Sequence, residues 1–161
     1  MTGYRIRGLD PARFRPLYGL SDTALADAGA IRMAVTERPG CPCRVTLEDA
    51  MPGEHVLLLN HEHLAVATPY RSRHAIFVRE GAERASELVD TVPDPLAIRL
   101  LSVRVFDRDD MMVDADVFEG AALHDRIGPW LADDRVAYLH AHFARRGCFA
   151  ARIDRAPIGQ P

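Results

Sequence analysis

Tyr138-Leu-His-Ala-His-Phe-Ala-Arg-Arg-Gly-Cys-Phe-Ala-Ala-Arg152 is the stretch whose reading decides the fold of this chain. Two strand-like runs flank Arg145-Arg146-Gly147, so it reads as a β-hairpin. Side chains alternate along a strand, which puts Tyr138, His140 and His142 on one face and Ala137, Leu139 and Ala141 on the other. A loop over Phe143–Gly147 sets His142 opposite Cys148, His140 opposite Ala150 and Tyr138 opposite Arg152. That register gathers Leu139, Ala141, Phe149, Ala151 and Ile153 on one apolar side, the criterion that selects a register. The other side holds the titratable groups, and small Ala150 leaves space beside the histidines.

Upstream of the hairpin, Gly120–Ala132 reads as a helix with Leu123, Ile127, Trp130 and Leu131 on one face. Before it, Leu101–Phe106 and Met111–Phe118 read as paired strands, with Asp114 and Asp116 on a polar outer face. His74–Val78 is apolar on both faces and so reads as a central strand, with His74 at its mouth. Tyr70-Arg71-Ser72-Arg73 is the basic loop leading into it. His55–Leu59 reads as a buried strand that leaves the core through Asn60-His61-Glu62-His63, a surface exit.

Nearer the N-terminus, Tyr4–Arg7 and Ile31–Thr36 read as strands. Asp10-Pro11 starts a helix with Phe14, Leu17 and Tyr18 at i, i+3, i+4, ended by Gly19, and Ser21 caps a second short helix, Asp22–Ala28, closed by Gly29. Pro39-Gly-Cys-Pro-Cys43 is a tight turn from which Arg44–Leu47 extends. Arg79–Asp90 is a polar connection, and Pro93–Leu96 is a helical turn. Residues 155–161, rich in Pro and Gly, read as a mobile tail. About seven strands and about three or four helices without strict alternation predict an α+β fold with a mostly antiparallel sheet, in one domain spanning 1–161.

The totals narrow the function classes. The chain has 161 residues, 48% of them hydrophobic and 27% charged, with net charge −3. That charge gives no pull toward nucleic acid or an anionic membrane. No segment is apolar over the length of a membrane span. Every basic residue is arginine, so Schiff-base chemistry on lysine is excluded. Three cysteines without a Cys-x-x-Cys pair make no disulfide framework and fit a cytoplasmic protein. Cys41-Pro42-Cys43 reads as structural.

Three chemistries suit the hairpin. The first is acid–base catalysis on an anionic small molecule. In it His74, His140 and His142 move protons, Arg71, Arg73, Arg145 and Arg146 hold the anion, and Tyr70 and Tyr138 complete the pocket. The second is metal binding, because His-x-His on a strand aims His140 and His142 together; His74, Cys148 or a carboxylate such as Asp114 or Asp116 is the candidate third ligand, His74 first. The third is a nucleophilic Cys148 activated by His142. A non-catalytic module that only senses a ligand or binds a partner through the same basic pocket is the alternative to all three. No cofactor follows from the residues.

Pro39–Ala50, Gly53–His63, Thr68–Glu80, Leu100–Arg104, Met112–Asp116 and Tyr138–Arg152 together resemble a bacterial family catalogued only as a domain of unknown function. The resemblance implies a single compact domain and no established activity, so it carries no catalytic residue over. The family pattern has Asn where this chain has Phe143, which removes a polar group from the loop beside the histidines.

Overall fold

In the computed structural model, which describes residues 3–156, the hairpin lies inside a six-stranded antiparallel sheet. Its strands are β8 (Tyr138–Phe143) and β9 (Phe149–Arg155). β6 (Leu100–Phe106) and edge strand β7 (Met112–Glu119) flank β8; β1 (Tyr4–Arg7) and β5 (Glu87–Val89) flank β9. The spatial order is β5-β1-β9-β8-β6-β7, every pair antiparallel. A second, three-stranded antiparallel sheet is ordered β2-β3-β4: β2 (Ala30–Ala34), β3 (His55–Leu64) and β4 (Ser72–Arg79). The fold is α+β as predicted, with nine strands among the described residues.

The larger core lies on one face of the six-stranded sheet. Helix α3 (Leu123–Leu131) lays Leu123, Ile127 and Leu131 on Val103, Val105, Leu139, Ala141 and Ile153. Helix α1 (Asp22–Asp27) is capped by Ser21, whose Oγ accepts from the Ala24 amide, and packs Leu25 on the smaller sheet. The short α2 (Asp94–Ala97) precedes β6, and Gly120 fits tightly against its last turn at the Leu96 carbonyl. The Asp10-Pro11 start is real, with Asp10 accepting from Ala12, but it opens 3₁₀ turns rather than an α-helix.

Five readings need correction. Arg79–Asp90 is not all connection, since it contains β5, paired with β1. β4 is an edge strand and β3 the central one; the apolar run of β4 is covered because Cys43 bridges to Phe77 along its free edge. Arg44–Leu47 does not extend but turns back, so that the amide of Leu47 donates to the Cys43 carbonyl. His61-Glu62-His63 is no loop exit: β3 runs through it to Leu64. Arg155 is no tail, since it ends β9 and its guanidinium donates to the carbonyls of Leu131, Asp133 and Val136. Ala156 follows, its amide donating to the Gly3 carbonyl, and 157–161 of the expected tail lie outside the described residues. Among the described residues no helix is long and apolar enough to cross a membrane.

Candidate metal centre

The hairpin is in another register from the one parity selects. His140 faces Arg152, Ala141 faces Ala151 and, across a β-bulge, His142 faces Phe149. The bulge inserts a residue and reverses the side on which the following chain points. Phe149 therefore joins the histidine face, while Cys148 and Ala150 join the apolar cluster beneath α3. The space expected over Ala150 does not form. Gly147, at φ 79°, makes the turn, and its carbonyl lies 3.0 Å from His142 Nδ1.

The far end of β3 crosses this face. Leu64 packs with Phe106 and Tyr138, which brings His63 onto His140 and His142. Ring centroids are 6.0 Å apart for His63–His140, 5.0 Å for His63–His142 and 6.4 Å for His140–His142. One nitrogen from each ring lies within 4.8 Å of the other two. Nδ1 of His63, Nδ1 of His140 and Nε2 of His142 are buried without a hydrogen-bond partner among the described residues.

The protonation states follow from burial. His140 is 2% and His142 1% exposed. Loss of water pushes His140 down to about 2, aided by the charges of His142 and His63. The same desolvation, with Arg104 next, pushes His142 to about 3 and His63 to about 4. All three are neutral at pH 7. A carbonyl can only accept, so Gly147 fixes the proton of His142 on Nδ1 and leaves the Nε2 lone pair free. A backbone carbonyl on the non-ligating nitrogen is the usual way of orienting a metal-bound histidine.

Two neighbours complete the face. Arg104 stands directly opposite His140 on β6. It is half-buried, burial lowers its pKa, and no acceptor engages it among the described residues. Phe149 stacks on His63 with 5.1 Å between centroids and stands edge-on to His140 and His142.

Of the other predicted site residues, Tyr138 stays against the cluster, its ring centroid 5.2 Å from that of His140, and the rest are dispersed. His74 pairs across from His61, but His63 takes the third place in the cluster. Arg71 pairs with Glu62 at 2.6 Å, and Arg73 donates to Asn60. Tyr70 packs edge-on to Phe106. Tyr138 donates to Asp110 at 2.6 Å, stacks on Phe106 and carries Arg152 over its ring. Arg145 and Arg146 line a separate cavity that contains no histidine. Cys148 Sγ accepts from Arg44 at 3.0 Å rather than facing His142. Asp114 and Asp116 are on the helix-side surface, bound to Trp130 and Arg126.

His63 is the residue that strand reading passed over. Its signal was present, because His61-Glu62-His63 repeats the His-x-His spacing of β8. Arg104 gave no signal: one arginine in a strand of apolar neighbours is uninformative until β6 is paired with β8.

Residues 40–155 match the family model described as "Protein of unknown function (DUF1203)". The chain belongs to this family. The match begins within the Pro39–Cys43 turn and ends at the last residue of β9, so it includes His63, His140, His142, Arg104 and Phe149. No curated protein and no solved structure matches the chain.

Proposed function

We propose that this member of the family holds a transition-metal ion at His63, His140 and His142, with a small anion as the further ligand. The observation that carries the reading is the convergence of three imidazoles, one nitrogen of each within 4.8 Å of the others, in rings that each keep one buried nitrogen without a hydrogen-bond partner. An unsatisfied buried polar atom costs about 1–3 kcal/mol, and three at one point are explained by one shared ligand. A cation suits the site, because each neutral imidazole can present a lone pair to it, as His142 does at Nε2. An all-nitrogen set suits zinc, copper, iron or nickel rather than calcium or magnesium. Three protein ligands with a further position open is the arrangement of catalytic zinc sites.

The anion follows from charge. The three histidines are neutral, and Arg104 adds a positive charge beside them. A dication in such a pocket stays uncompensated until an anion enters, and hydroxide or a small carboxylate or phosphate suits both the metal and Arg104. Metal-free proton transfer by the histidines is the second reading, and unpaired Arg104 supports it as well. It is weaker, since imidazoles pushed to about 2, 3 and 4 are poor acids and bases near neutrality. The three free cysteines suit a reducing cytoplasmic setting.

Elemental analysis of full-length protein purified without a histidine tag tests the proposal. Stoichiometric zinc, iron, copper or nickel is expected, removed by a chelator and restored on addition of the metal. Protein that holds no such metal, even after titration with each of the four, would sink it.

A further inference from the structure

At the tip of the hairpin a cavity of about 320 Å³ opens between the 40–44 turn, the start of β6 and the loop after β8. It does not involve the histidines and does not depend on the metal reading. Four arginines reach it: Arg44, Arg99, Arg145 and Arg146. Its carboxylate is Glu119, and Phe143, Phe77, Ile98 and Leu100 supply apolar wall.

Arg44 is the informative residue. It is 2% exposed, yet it makes no ion pair among the described residues. Its three hydrogen bonds go to Phe149 O at 2.7 Å, Pro42 O at 2.5 Å and Cys148 Sγ at 3.0 Å, none of them a carboxylate. Arg99 is already engaged by Asp49 through two bonds of 2.7 and 2.9 Å. The guanidiniums of Arg44 and Arg99 both stack on Phe143, 4.9 and 5.2 Å from its centroid. Arg145 and Arg146, exposed at the tip, have no hydrogen-bond or ion-pair partner among the described residues.

A buried guanidinium with no carboxylate partner is costly, and a second one across the same ring adds repulsion. Three unpaired arginines around one concave space, with Glu119 as the opposing charge, leave it electropositive. Guanidinium forks match planar carboxylates and tetrahedral phosphates. The volume is at the lower end for a small-molecule pocket, and the apolar wall suits a compact hydrocarbon or aromatic body.

We propose that this cavity is a binding site for a small organic oxyanion, its carboxylate or phosphate held by Arg145, Arg146 and the Arg44 wall, its apolar body against Phe143 and Ile98. Cys148 lies in the wall beside the anion position and accepts from Arg44, so it serves the pocket rather than the histidines.

Calorimetric titration of the full-length, chelator-treated protein with benzoate, phenyl phosphate and inorganic phosphate tests the assignment. Saturable 1:1 binding of benzoate or phenyl phosphate is expected, and which of them binds tells a carboxylate site from a phosphate site. The double variant R145A/R146A is expected to weaken that binding at least tenfold without lowering Tm, since both side chains are exposed. Ile98→Glu, at a residue 57% exposed on the rim, is expected to weaken it similarly by adding a carboxylate. Failure of both organic probes to bind at millimolar concentration would overturn the proposal. So would binding that neither variant changes. Inorganic phosphate bound as tightly as phenyl phosphate would overturn the role of the apolar wall. Chelator treatment removes any ion from the histidines beforehand, so a negative result here leaves the metal proposal standing.

Discussion

The ring of Phe149 lies parallel to the imidazole of His63, with 6° between the planes and 5.1 Å between the centroids. The stack joins the two sheets, because Phe149 belongs to β9 and His63 to β3. From the other side Arg44 holds the Phe149 carbonyl at 2.7 Å. One residue thus sets the angle of a histidine and anchors the wall of the arginine cavity.

Removing that ring should be expensive. Phe149 is 3% exposed, and Phe→Ala at such a position costs about 3–5 kcal/mol. Phe149→Ala should therefore lower the urea midpoint strongly, and Phe149→Leu by less. Equal midpoints for Phe149→Leu and Phe149→Ala would show that the shape of the ring is irrelevant to the packing.

Single alanine variants of His63, His140 and His142 should each weaken zinc binding by two orders of magnitude or more. His74→Ala should leave it within a few-fold, because His74 is not among the converging nitrogens. Competition against a chromophoric chelator measures all four. A larger loss at His74 than at His63 would move the centre toward β4.

Metal-free protein should lose stability as pH falls from about 6.5. The three histidines are held at about 2 to 4 in the folded state, below their unfolded value of 6.5. Their contribution is complete above 6.5 and is lost as the unfolded chain takes up protons that the native state refuses. Each such proton contributes a slope of up to about 1.4 kcal/mol per pH unit. Chemical denaturation at pH 7.5, 6 and 5 measures it, and His140→Phe should flatten the profile.

Arg44→Lys should not substitute for arginine. Three acceptors surround the guanidinium, and a single ammonium does not reproduce its planar fork. Loss of about 1–3 kcal/mol for each carbonyl left unsatisfied is expected, read as a lower denaturation midpoint.

Gly120→Ala should be among the most damaging small substitutions, because a Cβ there would run into the carbonyls of Leu96 and Arg99. Gly128→Ala, with open space around it, is the control and should be neutral or slightly stabilising. Comparable Tm values for the two would show that the backbone at Gly120 shifts to make room.

Local signals were enough for much of the architecture. The period of Leu123, Ile127 and Leu131, the Ser21 cap and the alternation along β1, β6, β7 and β8 act within a few residues, and the structure keeps them. His140 and His142 share a face for the same reason. The chain by itself could not determine which residue meets them. Parity assumes an unbroken ladder, and the bulge between Ala141 and His142 exchanged Phe149 for Cys148 on the reactive face. His63 arrives from a strand of the other sheet, and Arg104 from β6, through pairings that close loops of tens of residues. Alternation fixes where a side chain points along its own strand. Only sheet packing fixes what it points at, and the neutral, partnerless state of these histidines comes from that packing, which excludes water from both sides at once.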